Sequence, residues 1–569
     1  MNKIANIVVM LFALLAPSTH LFAQKEAEYQ KLSKSYTLNA DGSQEERVHM
    51  ELALFSHAVI HNAYGESFIK YNPQYQKLTI NESFTRQKDG TIVKTPSNAF
   101  VEMLPDEAAD APAYNMLREM VVVHTGLEIG ATICLDYTIT SQKGYLKELD
   151  VFEEIEKSSP VKELTLSLSV PEEKTLNYTL HGLNTRPKES SAGGMKTLTW
   201  TMHNVKETSH EASSSVLCGD VPFLAASSYS SPREALSRLF AQFTPSSDVQ
   251  LCAIAENLTE GKTSDTEKLQ AILRHVVEEV DGCNVSLRDA GFRIRSVNDM
   301  FYSAYGTAAE KANLLHGLLS AAGIEAEPAA AYKAEAPTES LALRAISEIV
   351  VVAKADGREY VLSPTSDRMA TAGWYRKMPL LSLSRAGQPL TLSPSDTHIN
   401  YEVSVSVTEE KAESVVKASL VDAFLPHYGA DAKPRTENDT ITQPLKTNNG
   451  YLFLQLPDAP MGMAHSQYCR LNTAREKNIL LPYAPNEHFR YVISLPQGMR
   501  LASAGDSKVI ENEAGKLTIS ILKEGEKTVV ERSLKLRKQQ YSPREFASLR
   551  TLLTEWSESL TTPILISRE

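Results

Sequence analysis

Apolar and polar positions alternate along the chain with two different periods, and the changes of period mark its organisation. From Glu28 to about Ser227 the period is two: in "LTLSLSV" Leu164, Leu166, Leu168 and Val170 fall on one face, while "NADGS" and "QKDGT" put Asp-Gly pairs where hairpins would turn. An all-β domain is expected there. From Ser231 the signals become helical, with "SPRE" and "TSDTEK" offering Ser or Thr caps ahead of acidic residues. The run "DTEKLQAILRHVVEEV" sets Leu269, Ile272, Leu273, Val276, Val277 and Val280 on one helical face. "SVNDMFYSAYGTAAEKANLLHGLLSAAGIEAEPAAAY" then reads as loop, helix and strand, and "SEIVVVAKADGREYVLSPT" as two strands turning at Asp356-Gly357, which together predict an α+β unit. Alternation returns from Asn400, where Tyr401, Val403, Val405 and Val407 share a face, and continues through "YLFLQL", "YVISL" and "LTISIL". The chain closes on "YSPREFASLRTLLTEW", expected as a helix capped by Ser542, with Pro543 at its first position and Phe546, Leu549, Leu553 and Trp556 as its apolar stripe.

A length of 569 residues is more than one hydrophobic core serves. The expected division is a leader at 1–23, a β domain at 24–230, an α+β domain at 231–390 and a second β domain at 391–569. The leader has Lys3 ahead of an apolar run from Ile7 to Ala16, then a small residue, Ala23, before Gln24, which is the pattern of a cleavable secretory signal peptide. The first cysteine is Cys134, so no cysteine stands where a lipid would be attached near residue 24, and no later run reaches the ~20 apolar residues of a transmembrane anchor. The expectation is a soluble, exported protein. Its 58 basic and 70 acidic residues, without a basic stripe interleaved with aromatics, argue against nucleic acid as a partner.

Few residues carry candidate chemistry by themselves. Cys134, Cys218, Cys252, Cys283 and Cys469 are odd in number and scattered, so no disulfide framework or metal spacing emerges, and each is read as a buried small apolar residue. His57 and His61 have the i, i+4 spacing of a metal pair but lack a third ligand in a run that reads as β, so no metal or cofactor is expected. The acidic run "DVFEEIEK", Asp150 to Lys157, could hold paired carboxylates for glycoside hydrolysis but reads first as a solvated face or loop. Cys283 is placed in a loop, and His316 is an ordinary member of its helix.

The order of elements resembles that of exported Gram-negative proteins with an N-terminal β-sandwich domain of unknown function, a transglutaminase-like core and a C-terminal β domain. "YNPQYQKLTINESFTRQKDGTIVK" is similar to the N-terminal domain of that group, and "ENLTEGKTSDTEKLQAILRHVVEEV" to the helix leading into its core. The resemblance implies a fold that is multidomain β and α+β: an N-terminal β-sandwich, a papain/transglutaminase-like α+β core and a C-terminal β domain with a terminal helix. Active members of the core family carry Gly-Asp-Cys-Lys-Asp-Lys-Ala at a helix start, Phe-Asn-His on the next hairpin's first strand and Leu-Asp-Pro-Thr at the end of its second. There the helix dipole stabilises a thiolate, the histidine takes its proton and the carboxylate orients the imidazole. In this chain "GTAAEKA" keeps Gly306, Glu310, Lys311 and Ala312 but has Ala308 for the Cys. "ISEIVVV" has Glu348 for the His, and "LSPT" has Ser363 for the Asp, with Leu362, Pro364 and Thr365 retained.

All three catalytic positions are thus substituted, and no intact catalytic residue is expected. Thr307, one place before the Cys position, lacks an imidazole or amine to activate it and is read as a helix cap. The resulting expectation is a non-catalytic protein that binds an envelope polypeptide or glycan, or scaffolds an envelope complex, in a cleft formed by Tyr305, Gly306, Thr307 and Glu348. An envelope hydrolase or amide transferase using displaced residues is the alternative, adhesion through the β domains is a third, and both periplasm and cell exterior stay open.

Overall fold

The computed structural model describes residues 25–208, 211, 221–332, 338–365, 375, 378–393, 397–421, 438–457, 459 and 462–568. The segment 1–23 expected as a leader and Cys218 lie outside the described residues.

Around Val161–Pro171 the alternation becomes a strand whose Leu164, Leu166, Leu168 and Val170 are all buried. It lies inside an eight-stranded sheet, flanked by Met195–Val205 and by Ala27–Leu38, which runs parallel to it. All other neighbours in this sheet are antiparallel, and the hairpin turn at Asp41-Gly42 has Gly42 at φ 87°, a conformation that costs glycine nothing. A three-stranded sheet (Asn177–His181, Phe223–Ser227, Asp150–Glu154) covers one part of this layer, burying Trp200 with Leu224 and Val151. A second (Glu66–Tyr71, Arg118–Val123, Phe100–Met103) covers another, around Ile69, Val122 and Leu135. Apolar inner faces pressed together in this way form a β-sandwich.

The central domain is α+β. Its main helix, Ala308–Ala321, is buried nearly all round, Glu310, Lys311 and Asn313 included: Leu314, Leu315, Leu318 and Leu319 pack between helices Val249–Thr259 and Asp265–Arg274 and an antiparallel sheet. That sheet runs Arg358–Leu362, Ile346–Ala355, Glu325–Tyr332, Leu380–Ser382. Gly317 is needed for the helix contact, since a Cβ there would come within 2.8 Å of Leu251 Cδ1. Ser264 and Glu267 form the expected capping box, but the α-helix stops at Arg274 and continues as a π-turn over His275–Glu279.

The C-terminal domain packs a seven-stranded sheet against a helix and a four-stranded sheet around Phe489, Trp556 and Leu549. Its terminal helix spans Phe546–Thr561, starting beyond the expected position. Ser542 instead donates through its N–H and hydroxyl to the Glu545 carboxylate, at 2.9 and 2.8 Å, which holds residues 542–545 in a turn ahead of the helix. A strand absent from the sequence reading, Ile564–Arg568, follows the helix and joins the smaller sheet.

Candidate active site and its substituted triad

The corner "YGT" is a short strand, Tyr305–Thr307, paired in parallel with Asp281–Cys283, and the main helix springs from it. Thr307 is the helix cap: its hydroxyl accepts the Glu310 N–H at 3.3 Å, and Glu310 Oε2 accepts the Thr307 N–H at 2.8 Å. Two orphan donors of the helix end are satisfied reciprocally. Glu310 also does more. Although no part of it is exposed, it pairs with Arg295 through Nε at 2.8 Å and Nη2 at 3.0 Å, and accepts the Tyr114 hydroxyl at 2.5 Å. Burial would lower the Arg295 pKa, but the Glu310 carboxylate outweighs it and holds it above the usual value. Burial and the same carboxylate push Tyr114 upward.

Tyr114 belongs to the N-terminal sandwich, whose segment Pro112–Tyr114 therefore sits against the helix start. Tyr305, expected at the cleft mouth, lies beneath this segment: its hydroxyl accepts the Ala113 N–H at 2.6 Å, and its ring faces the Arg295 guanidinium 4.8 Å away. Tyr305 and Thr307 are both buried, because the N-terminal domain covers this side of the corner.

On the other side the helix start opens onto a cavity of about 410 Å³, where Gly306, Ala308, Glu348 and Thr365 share the lining with Cys283 and Arg344. The first strand of the hairpin carries Glu348 and the end of the second carries Ser363, and the Ser363 hydroxyl donates directly to Glu348 Oε1. Glu348 Oε2 accepts the Tyr375 hydroxyl at 3.1 Å, and Thr365 Oγ1 lies 3.0 Å from Ser363 Oγ. The structure thus brings together the three positions aligned with the triad. They present a methyl group, and a carboxylate held by two hydroxyls, with no ion pair to Glu348 among the described residues. Such a set can receive a cation or a hydroxyl, whereas acyl transfer needs a nucleophile and a proton acceptor beside it. Cys283 lines this cavity, but its thiol is pushed up by burial and points to the Glu107 carbonyl, 3.8 Å away. A thiol so placed is a poor source of thiolate.

Elsewhere several expectations need correction. His57 and His61 lie on a short helix, His57–Asn62, capped by Ser56, and both are exposed. Cys252 is exposed, unlike buried Cys134 and Cys283. His316 needs no correction as an ordinary member of its helix: it packs against Phe240 and Phe243, and burial lowers its pKa. The acidic run is not a solvated face, since Asp150–Glu154 is a strand with Asp150 and Glu153 buried at 7% exposure each. Burial would raise Glu153, but Lys34, Lys157 and the Tyr36 hydroxyl together bring it down to about 2. Asp150 goes the other way: burial raises it to about 6, only partly offset by the Arg344 charge. Its Oδ2 accepts the N–H groups of Leu343 and Arg344 at 2.7 and 3.1 Å, tying the core to the sandwich. Arg295, Tyr114 and Asp150 carry no local motif. Only the Thr307-x-x-Glu310 spacing of the capping box could have flagged this end of the helix in advance.

Three family descriptions match in the expected order. They are a domain of unknown function, DUF3857, over 40–209, the transglutaminase-like superfamily over 252–365, and a domain of unknown function, DUF3858, over 451–566. A crystal structure of a "putative protease" from Parabacteroides distasonis ATCC 8503 is 37% identical with a TM-score of 0.79, the match covering 95% of this chain and 99% of that one. The chain belongs to the family of multidomain proteins with a transglutaminase-like core. An M1 zinc metallopeptidase from Deinococcus radiodurans also shows a likeness, at 11% identity over 36% of this chain and 42% of that one, but its TM-score of 0.19 carries no argument. No curated protein matches.

Proposed function

We infer that this transglutaminase-like core has exchanged catalysis for binding, and that the cavity beside Ala308 holds a segment of an envelope polypeptide. The observation that carries the reading is the contact of Ser363 with Glu348 in a cavity also lined by Ala308: a carboxylate anchored by hydroxyls has replaced the histidine-centred relay. Apolar walls at Leu287, Phe292 and Ile349 around an anionic Glu348 suit a peptide side chain ending in a cation or hydroxyl. The name of the Parabacteroides relative points to polypeptides rather than glycans as the ligand class. The apolar run from Ile7 to Ala16 supports export, to periplasm or cell exterior, after loss of residues 1–23.

Hydrolysis through Cys283 is the second reading, favoured by the presence of that thiol in the cavity lining. An array of random peptides, probed with the mature protein and with Glu348→Ala, separates the two. Retained peptides whose signal falls in Glu348→Ala support binding. Peptide cleavage that disappears in Cys283→Ala overturns it, as does equal capture by wild type and Glu348→Ala.

A further inference from the structure

The four-stranded sheet of the C-terminal domain has one face in the core and one in solvent. Its strands run in the order Lys446–Asn448, Tyr451–Leu454, Ile564–Arg568, Met499–Ser503, the first two joined by the Asn449-Gly450 turn. Leu452, Leu454, Ile564 and Ile566 are buried in the core. Alternation along the strands therefore sends Tyr451, Phe453 and Leu565 outward, and the two rings stay 41% and 37% exposed. Register puts a cation on each side of them. Lys446 stands opposite Phe453, and Arg500 stands opposite Ser567, which in turn stands opposite Tyr451. Both cations are exposed, and neither has a hydrogen bond or ion pair among the described residues. Arg568, at the strand end, is already taken up by Glu409.

The chain has a net charge of −12, yet these four strands contain no Asp or Glu. Two unpaired cations beside exposed rings complement an anion that also has apolar faces. The size of the face excludes a folded partner: three strand spacings by one same-face step give roughly 14 Å by 7 Å, far below the ~800 Å² that each partner of a stable protein complex buries. An acidic peptide fits poorly, because peptides are held at open strand edges or in grooves, and these rings and Leu565 sit on the two inner strands of a sheet face. A pyranose ring has C–H groups that cover an aromatic ring, and a uronic acid adds a carboxylate at the ring's edge. We propose that this face binds a polymer of uronic acids, its sugar rings stacked on Tyr451 and Phe453 and its carboxylates on Lys446 and Arg500. The face shares no residue with the cavity at Ala308 and stands whether or not that cavity binds peptide.

Calorimetric titration of the mature protein with oligomers of galacturonate and of mannuronate tests the assignment. Neutral maltohexaose, an oligothymidylate and vesicles of phosphatidylglycerol with phosphatidylcholine serve as the rival ligands. At least one uronate oligomer is expected to bind saturably, about tenfold or more tighter than maltohexaose, the scale of one charged contact. Tyr451→Ala combined with Phe453→Ala should weaken that binding by a similar factor, while Glu348→Ala leaves it unchanged. Lys446→Gln combined with Arg500→Gln, changes at exposed positions, should bring the uronate down to the level of maltohexaose and flatten its dependence on salt. This second pair keeps the test open if the aromatic variant does not fold. Absence of saturable heat with both uronates, full affinity without Lys446 and Arg500, or tighter binding of the oligothymidylate or the vesicles would overturn the proposal.

Discussion

Glu310 and Glu348 stand on opposite sides of one helix start and have opposite surroundings. Glu310 is fully buried and fully compensated, with Arg295, the Tyr114 hydroxyl and the Thr307 N–H around it. Glu348 lines a cavity and, among the described residues, accepts from the Ser363 and Tyr375 hydroxyls. The sandwich repeats the contrast on a single strand, where Glu153 is surrounded by Lys34, Lys157 and Tyr36 while Asp150 keeps one oxygen free. A buried carboxylate whose every lone pair is used holds the scaffold together. One with unused acceptor capacity contributes less to that hold.

The contrast is sharpest when each carboxylate is removed. Glu310→Ala strands the Arg295 charge and the Tyr114 hydroxyl, so urea unfolding should show a loss of about 3–5 kcal/mol. A loss below about 1 kcal/mol would show that the pair is as dispensable as a surface one. Tyr114→Phe deletes one hydroxyl from the same knot, and a loss of about 1–3 kcal/mol is expected.

Acid titration of stability should separate the two sandwich carboxylates. Glu153 has a folded pKa of about 2, below its unfolded value, so its contribution is present above about pH 4.5 and disappears as pH falls towards 2. Asp150, raised to about 6, acts in reverse: its contribution is full below about pH 4 and disappears as pH rises through 6. Urea midpoints measured against pH should lose the first limb in Glu153→Gln and the second in Asp150→Asn. Identical profiles in the two variants would erase the distinction.

Glu348→Ala should change stability least, by under about 1 kcal/mol, and peptide capture most. A large drop in stability with unchanged capture would move Glu348 to the structural side of the comparison. Ala308→Cys completes the set: with no imidazole at 348 and no carboxylate at 363, the new thiol should give no turnover of peptide amides, and measurable turnover would reveal a base already in place.

Local pattern carried much of the fold. The alternation in Val161–Pro171 and His398–Val407, the Asp-Gly turns and the Ser264 capping box all depend on neighbours a few positions away, and they appear where those patterns put them. Of the residues picked out in "GTAAEKA", "ISEIVVV" and "LSPT", Ala308 and Glu348 line one cavity and Ser363 donates to Glu348. Partners far apart in the chain were not legible. Tyr114 reaches Glu310 and Asp150 reaches Leu343 only after the sandwich docks on the core, and that docking is also what turns an apparently solvated acidic run into a buried strand. The short helix at His57 escaped because its Val59 and Ile60 fit a strand pattern equally well.

The parallel pairing of Ala27–Leu38 with Val161–Pro171 bears on how the molecule is made. The earliest described strand to leave the ribosome finds one neighbour at once, in Gln44–Leu54, but its other edge stays open until residues beyond 160 have been synthesised. Closure of a loop that long is slow, and an open edge meanwhile invites pairing with other chains. Assembly of the N-terminal half should therefore be delayed rather than stepwise, and the protein's most aggregation-prone moment should fall between emergence of the first hairpin and arrival of the strand that closes it.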